Sequence, residues 1–240
     1  MKIIKLEKIN STNLYAQELL NKKQISETTL IYTNSQIKGK GMGENSWYSE
    51  DYKNLIFSLL VFNKFKAIDH FKISIIVSLS IFEYLNLKGV SAKIKWPNDI
   101  YLKSKKIAGI LIENSIMGDF ISNSIIGIGL NLNQEKFPKN LTNAISLKNE
   151  TNIEYNIEEE TFLLSNIIIK NFEKYKLKSF EFLRDLYLKN LYKFQEKCLF
   201  QSKFRKFEGI IKGIDNFGYL LIELNGNIEK FYFKEIEFID

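Results

Sequence analysis

The chain has 240 residues, of which 45% are hydrophobic and 14% aromatic, and only 2 are proline. This composition is typical of one large globular domain, or of a medium domain with a small appendage, and it excludes disordered and collagen-like chains. The 34 basic and 28 acidic residues give a net charge of +6, spread along the whole chain. Such a mild excess allows nucleic-acid binding without requiring it.

Three rare residue types narrow the function further. All but two of the basic residues are lysine, which lowers the expectation of a nucleic-acid partner because arginine makes the bidentate base and phosphate contacts. The single cysteine, Cys198, excludes an internal disulfide framework and cysteine-cluster zinc sites. The single histidine, His70, has no second histidine with which to share a metal, and it is interpreted as part of the first turn of a helix.

The N-terminal ten residues are charged and lack the apolar core of a secretory signal. The longest apolar runs, over 54–63 and 73–82, are about half as long as the ~20 residues that a membrane-spanning helix needs. We therefore expect a soluble, reduced, cytoplasmic protein without a membrane partner.

The first predicted element is a helix over 11–24, which Ser11 or Asn13 can cap. A short β-branched strand is predicted over 29–33. It leads into a polar, glycine-dense segment over 34–47, which is typical of a loop.

The remaining elements follow from hydrophobic periodicity. An apolar run over 54–62 predicts a strand that is covered on both faces, and a core-facing helix is predicted over 68–82. Short β-rich runs separated by turn signals predict a meander of strands over 92–133. Helical spacing returns over 157–192, interpreted as two helices, and strands with turns are predicted over 198–240.

Strands and helices are thus mixed without a regular β-α-β alternation, which favours an α+β fold with a mixed sheet flanked by helices. We expect residues 1–192 to form the main domain. Residues 193–240 are expected to form a small β-barrel that depends on the main domain for stability, because so short a unit buries little surface of its own.

The segment over 36–47 places Gly39, Gly41 and Gly43 within five residues, with Lys40 between the first two. Alternate glycines let backbone N–H groups turn toward one point and let a ligand approach the main chain, while the lysine adds a full charge. The segment is therefore a candidate phosphate cradle, although it matches neither the P-loop nor the dinucleotide-binding fingerprint. A glycine-rich surface loop without a ligand is an equally weighted alternative.

A second unusual stretch is Lys95-Trp96-Pro97-Asn98-Asp99. A lysine, an amide and a carboxylate lie around a proline that fixes the turn, so several polar groups can converge beside the tryptophan. The alternative is a hairpin with a solvated turn.

A third stretch, over 126–133, would place Asn131 and Asn133 on one face of a strand, with glycines where a ligand or another backbone comes close. Taken alone, this stretch favours the simpler interpretation of a bulged strand.

In this order and at this spacing, the segments resemble the biotin protein ligase family over essentially the full chain. The stretches that carry the resemblance are Ser11-Thr12-Asn13, the 36–47 loop, Lys95 to Asp99, Lys106-x-x-Gly109, Gly127-x-Gly129-x-Asn131-x-Asn133 and Glu208 to Asp215. The resemblance implies a catalytic domain related to class II aminoacyl-tRNA synthetases, followed by an SH3-like β-barrel. Because it starts by about Ile9, we expect no N-terminal winged helix and no DNA partner.

Membership of that family would imply an ATP-dependent ligase that forms biotinyl-5′-AMP and then biotinylates a lysine of a biotin carboxyl carrier protein domain. ATP and Mg²⁺ are the implied cofactors, biotin is the substrate, and a monomer or weak homodimer is expected. The alternatives are a lipoate–protein ligase of the same superfamily, against which the Lys-Trp-Pro-Asn-Asp motif argues, and a non-catalytic sensor of biotin or its adenylate.

The resemblance also implies roles for individual residues. Biotin-binding residues are Ser11, Thr12, Asn13, Gln36, Lys40, Gly41, Met42, Lys106 and Gly109. ATP-binding residues are Gly39, Lys40, Asn45, Trp47, Asn98, Asp99 and Asn131. Catalytic residues are Lys106, Lys95 and Asp99; the last is implied to hold Mg²⁺ or a lysine, and the metal ligands are otherwise undefined.

Three positions depart from the family pattern. Lys40 and Met42 stand where arginine is common, and Glu44 stands where glycine is frequent. A lysine loses bidentate phosphate binding, and a methionine loses the charge altogether. We therefore expect weaker retention of the adenylate rather than loss of activity.

Overall fold

A mixed sheet of seven strands fills the first 130 residues of the computed structural model, which describes residues 1–203 and 205–239. The strands are β1 Lys2–Ile9, β2 Thr29–Gln36, β3 Leu55–Phe62, β4 Ala92–Lys95, β5 Asp99–Leu102, β6 Lys105–Met117 and β7 Phe120–Leu130. Their order in the sheet is β1-β2-β3-β7-β6-β5-β4. The β1–β2 pair is parallel, and the other five neighbouring pairs are antiparallel.

Helices cover both faces of this sheet. They are α1 Thr12–Asn21, α2 His70–Leu87, α3 Leu147–Thr151, α4 Ile157–Tyr175 and α5 Phe180–Lys189. Helix α1 packs on one face against β2, β3 and β7, while α2 contacts β4, β5 and β6 on the other face together with α4 and α5. Strand β3 lies between the two layers and is buried along nearly its whole length, which explains its unbroken apolar sequence. Within the described residues, no helix combines the length and the apolarity needed to cross a membrane.

A second, antiparallel sheet follows the helices. Its strands are β8 Lys197–Ser202, β9 Lys206–Ile214, β10 Leu220–Leu224, β11 Asn227–Phe231 and β12 Ile236–Ile239, in the order β11-β10-β9-β8-β12. It is attached to the main sheet through Trp96, whose Nε1 donates to the carbonyl of Gly218 at 2.8 Å. The ring of Phe233 packs against Trp96, with 5.5 Å between the ring centroids.

The α+β class, the meander of strands and the two C-terminal helices confirm the expectations from the sequence. Strand β1 was not expected, because its sequence alternates lysines with aliphatic residues at a half-exposed sheet edge. The prediction that a side chain caps α1 was wrong. Ser11 occupies the N-cap position without a side-chain hydrogen bond, and Asn13 is buried and directed elsewhere.

The expectation for Asn131 and Asn133 also needs correction. Strand β7 ends at Leu130, so neither residue lies on a strand face. Beyond Leu130, Asn131 N still donates to the carbonyl of Ile107 in β6 at 2.9 Å, and Asn133 N donates to that of Lys53, just before β3, at 2.8 Å.

Candidate active site

A cavity of about 110 Å³ lies on the α1 face of the main sheet, beneath the glycine-rich loop. It is lined by all but three of the residues for which a binding or catalytic role is predicted. These are Ser11, Thr12, Asn13, Gln36, Lys40, Gly41, Met42, Asn45, Trp47, Asn98, Asp99, Lys106 and Gly109. Residues separated by almost a hundred positions in the chain therefore share one chamber, which we call the first cavity.

One end of the first cavity is a network of buried and partly buried hydrogen bonds. Thr12 N donates to Gln36 Oε1 at 2.9 Å. The hydroxyl of Ser58 lies 2.7 Å from Thr12 Oγ1 and 2.6 Å from Asn13 Oδ1, and Asn13 Nδ2 donates to Glu113 Oε2 at 2.8 Å. These bonds fix the orientation of the Asn13 amide, so this end of the cavity presents preorganised donors and acceptors to a ligand.

Strand β7 has a glycine, Gly127, at the point where the Asn13 side chain approaches the sheet. A Cβ at Gly127 would overlap the side-chain amide of Asn13. The glycine therefore lets helix α1 bring a polar side chain against the sheet.

The glycine-rich loop forms a small hairpin over the first cavity. Gly41 N donates to the carbonyl of Asn45 at 2.8 Å, and Trp47 N donates to that of Gly39 at 2.9 Å. Gly41 N, one of the donors expected to converge on a ligand, is therefore engaged within the loop. Gly43 has a positive φ of 68°, and a Cβ there would overlap the side chain of Lys234 from the second sheet.

The indole of Trp47 fills a niche between two strands. A Cβ at Gly109 of β6 or at Gly129 of β7 would run into the indole ring. Within the described part of the chain, Trp47 Nε1 is buried and has no hydrogen-bond partner. A buried donor without a partner is costly, so this N–H is available to a ligand at this point.

Lys106 and Asp99 form an ion pair at the cavity wall, with 2.7 Å between Nζ and Oδ1. The ammonium also lies 5.6 Å from the centroid of the Trp47 ring. The neighbouring Lys105 is exposed, as expected for adjacent residues at the start of a strand.

A second cavity, of about 230 Å³, shares Trp47 and Lys106 with the first. Its wall consists of Ser46, Trp47, Tyr48, Tyr101, Lys106, Asn131, Phe137, Asn140, Leu141, Thr142, Asn143 and Ala144. Aromatic rings and amide groups dominate this wall, a combination that suits a planar, hydrogen-bonding ligand. Sequence analysis missed the segment over 137–144, which has no periodic pattern.

Asn131 lines the second cavity, but its amide is engaged within the protein. Nδ2 donates to the carbonyl of Ile145 at 3.1 Å. The backbone of Lys106 is bonded to the same loop, because its N–H donates to the carbonyl of Asn143 and its carbonyl accepts from Ile145 N. Asn131 and Lys106 together therefore hold one side of the loop in place.

Two predicted residues lie outside both cavity walls. Lys95 Nζ is 3.1 Å from the hydroxyl of Tyr101 and 4.9 Å from the ring centroid of Phe238, so the lysine packs between the two sheets. Its expected contact with a polyphosphate stays a prediction that this arrangement does not favour. Gly39 takes part through its backbone only, since a Cβ there would overlap the carbonyl of Trp47.

Ser58 and Glu113 are two site residues that were not predicted from the sequence. Ser58 is fully buried and is the one polar residue in the apolar strand β3. That exception to the pattern was a usable signal, because a polar residue in a doubly covered strand needs a partner. Glu113 is exposed, and an exposed acidic residue in a strand does not indicate a functional site.

Among residues 1–203 and 205–239, no group of three or more His, Cys, Asp and Glu side chains could hold a metal ion. Asp99 is the carboxylate in the wall of the first cavity. Magnesium commonly binds through one or two carboxylates together with substrate phosphates. The donor set therefore suits a magnesium ion that enters with a nucleotide and not a resident metal.

Comparisons with known proteins identify related sequences and structures. The sequence profile of the "Biotin/lipoate A/B protein ligase family" matches residues 6–131, and that of the "Biotin protein ligase C terminal domain" matches residues 198–238. The chain is 28% identical over 236 residues to the bifunctional ligase/repressor BirA of Bacillus subtilis, covering 95% of this chain and 71% of the relative.

Two further similarities extend over most of both chains. The chain is 26% identical over 224 residues to the biotin–[acetyl-CoA-carboxylase] ligase of Paracoccus denitrificans, covering 90% and 92% of the two chains. The structure of the biotin protein ligase from Aquifex aeolicus in complex with biotin and ATP is similar, with a TM-score of 0.80 and 26% identity over 99% and 98% of the two chains.

Proposed function

The chain belongs to the biotin/lipoate A/B protein ligase family, and from this membership we propose that it activates biotin with ATP and attaches it to a lysine of a biotin carboxyl carrier protein domain. The observation that carries the proposal is the position of Lys106, which stands in the walls of both cavities. A carboxylate bound in the first cavity and a triphosphate bound from the second would meet at this ammonium.

The polar end of the first cavity favours biotin over lipoate. A cyclic urea carries two N–H donors and one carbonyl acceptor, which can pair with the preorganised groups around Asn13, Thr12 and Ser58. A dithiolane ring carries no such donors and would leave the remaining hydrogen-bonding capacity of these groups unused. A site built to hydrogen-bond its substrate rejects analogues that lack those groups by large factors.

In the first step, a carboxylate oxygen of biotin attacks the α-phosphorus of ATP, the bond to the β-phosphate oxygen breaks, and pyrophosphate leaves. Lys106 would offset the repulsion between the two anions and the negative charge that develops on the α-phosphate. Its ion pair with Asp99 holds the ammonium in position before the substrates arrive. Lys40 in the loop above would add a second positive charge.

The nucleotide would bind with its base in the second cavity, against Trp47, Tyr48 and Tyr101. The unpartnered indole N–H of Trp47 would then find an acceptor on the bound ligand. Asp99 would hold the magnesium ion that accompanies ATP, and that ion supplies positive charge for the phosphates.

In the second step, the neutral ε-amine of a carrier lysine attacks the acyl carbon of biotinyl-5′-AMP. The bond to the phosphate oxygen breaks, AMP leaves, and the amine loses its proton as the amide forms. The glycine-rich hairpin lies over the first cavity and would keep water from the mixed anhydride.

We further propose that residues 1–192 carry both substrate cavities and that residues 193–240 form a separate small domain. A monomer or weak homodimer in the cytoplasm stays the predicted state. A non-catalytic sensor is less well supported, because both Lys106 and Lys40 line the first cavity.

Transfer of radiolabelled biotin to a carrier domain tests the proposal. The purified chain is incubated with ATP, Mg²⁺, a carrier domain and either labelled biotin or labelled lipoate. We expect label on the carrier lysine from biotin alone. Transfer from lipoate alone would indicate a lipoate ligase, and tight biotin binding without transfer would indicate a sensor; either result would overturn the proposed function.

A further inference from the structure

The two loops that form the second cavity are joined at their bases by a pair of buried amides. One wall, over 46–48, lies six residues before Asn54, and the other, over 137–144, begins three residues after Gln134. Asn54 is 1% exposed and Gln134 is 0% exposed. Neither residue lies in the wall of either cavity, and neither has a role in the reaction proposed above.

Gln134 connects three points of the chain through both ends of its amide. Its Oε1 accepts from Asn54 Nδ2 at 2.7 Å and from the backbone N–H of Glu50 at 3.1 Å. Its Nε2 donates to the carbonyl of Lys136 at 2.9 Å. One side chain therefore bonds the segment that leaves the first wall and the residue that enters the second wall.

Asn54 adds two further hydrogen bonds within and between the same segments. Its Oδ1 accepts from Leu132 N at 3.0 Å, and its Nδ2 also donates to Ser49 Oγ at 2.9 Å. The far side of the 137–144 loop is fixed independently, through the backbone of Lys106. The hydrogen bonds of Gln134 and Asn54 therefore tie the chain just before this loop to the segment that follows Trp47.

We propose that Gln134, acting with Asn54, is a positioning residue that sets the separation of the two walls of the second cavity and thereby the affinity and base selectivity for the nucleotide. The inference rests on the proposed function, since it takes the second cavity as the nucleotide site. The biotin end of the first cavity is built from α1, Gln36 and Ser58, so Gln134 acts on one substrate and not on the other.

The test compares Gln134→Met with Asn171→Leu. Methionine keeps the approximate volume of glutamine and removes both hydrogen-bonding groups. Asn171 is a matched control, because it is 3% exposed and its Nδ2 donates to Ser80 Oγ and Glu83 Oε2 between α2 and α4, away from both cavities. Both variants lose a buried amide, so both should melt at a lower temperature than the wild type.

Biotin-dependent ATP–pyrophosphate exchange, with ATP or GTP as nucleotide, gives the decisive readouts. For Gln134→Met we expect a KM for ATP raised by about tenfold, a KM for biotin within about twofold of wild type, and a smaller preference for ATP over GTP. Asn171→Leu should leave all three at wild-type values. A general loss of stability would not separate the two KM values in this way.

Gln134→Glu serves as the second variant if the methionine variant does not fold. A carboxylate still accepts from Glu50 N and Asn54 Nδ2 but cannot donate to the Lys136 carbonyl, so the KM for ATP should rise while that for biotin stays constant. Equal changes in both KM values, or an unchanged KM for ATP, would overturn this inference alone. Absence of exchange in the wild-type chain would overturn the proposed function, and this inference with it.

Discussion

Lys106 is held against Asp99 across two neighbouring strands, 2.7 Å from carboxylate to ammonium, at the point where the two cavities meet. The pair is only partly buried, with 34% of the lysine and 22% of the aspartate side chain exposed. An ion pair of this kind contributes little to stability. The ion pair instead positions the flexible side chain of Lys106 at the point where two anionic substrates would meet.

Lys106→Ala should lower biotinyl-adenylate formation by on the order of a hundredfold or more, because it removes the principal charge that faces the reacting phosphate. Lys105→Ala is the control, since Lys105 is exposed beside it, and should stay near wild type. Exchange of radiolabelled pyrophosphate into ATP measures the step. Equal losses in both variants would show that the role is assigned to the wrong lysine.

Gly129→Ala should displace Trp47 from its niche, because the added Cβ overlaps the indole ring. Misplacing a group at the junction of two substrates can cost on the order of a hundredfold in rate. In a Trp96→Phe background, Trp47 is the single tryptophan, and its emission should shift toward that of an exposed indole.

Gly213→Ala is the control for that substitution, since a Cβ there would meet only the methyl groups of Leu221 and Leu188 at 3.8 and 3.9 Å. Its activity and emission should match those of its parent. Wild-type emission from the Gly129→Ala variant would mean that the indole does not occupy the niche.

Ser58→Ala should raise the KM for biotin by about tenfold while leaving that for ATP unchanged. The hydroxyl orients Thr12 and Asn13, and losing one partner of a buried network costs about 1–3 kcal/mol. Ser80→Ala is a comparison, because Ser80 is equally buried but bonds within α2 and to Asn171. Parallel effects of both variants on the KM for biotin would contradict a specific role of Ser58.

Met42→Arg should slow the escape of biotinyl-adenylate. Met42 lines the first cavity and also a small apolar cavity of about 90 Å³ beside Phe71 and Phe233. An arginine that reaches the α-phosphate would add about 1 kcal/mol or somewhat more. Biotin incorporation into an unrelated lysine-rich protein, at matched turnover on the carrier, should decrease. Equal or greater labelling would show that residue 42 does not face the intermediate.

Stability at alkaline pH should depend on two buried tyrosines. Burial raises the pKa of both Tyr84 and Tyr187 above the usual value, and Glu160 adds to the rise at Tyr84. A raised pKa means that the folded state favours the neutral phenol. The contribution of these two phenols to the free energy of unfolding is therefore fully present below pH ~10, the usual pKa of tyrosine, and is lost as the pH rises above that value.

Phenylalanine substitutions at the two positions should differ at neutral pH. Within the described residues the Tyr187 hydroxyl has no partner, so Tyr187→Phe should leave the free energy of unfolding unchanged or raise it by up to about 1 kcal/mol. Tyr84 donates to Glu160 at 2.9 Å, so Tyr84→Phe should lower it by about 1 kcal/mol. Urea unfolding at pH 7 and pH 10.5 measures both effects, and a larger alkaline loss in Tyr187→Phe would contradict the assignment.

The spacing of apolar residues in the sequence was sufficient to predict the buried strands and helices. Strand β3 was predicted because it is buried on both faces, and α2 because its apolar residues recur at helical spacing. The end of β7 was not predictable, because the chain beyond Leu130 bonds to Lys53, just before β3. That contact depends on a neighbouring strand and leaves no local signal.

The candidate site, like the fold, was predicted in part. Thirteen of the predicted residues line the first cavity, and they were found because the resemblance to a family gave their order along the chain. The 137–144 wall of the second cavity was missed, since its shape depends on a bond to the backbone of Lys106, which is distant in the chain. Asn13 was assigned a capping role by local rules, whereas its contacts with Ser58 and Glu113 are long-range.

The attachment of the second sheet limits how far this protein could be shortened for use as a labelling reagent. A chain that stopped at residue 192 would leave the Trp96 indole without the Gly218 carbonyl and would uncover the face of Phe71 that Phe233 covers. It would also remove the Lys234 side chain that lies against Gly43 of the loop. The last 48 residues therefore support the packing around Trp96 and the glycine-rich loop, and a fusion partner is better joined at the half-exposed edge strand β1.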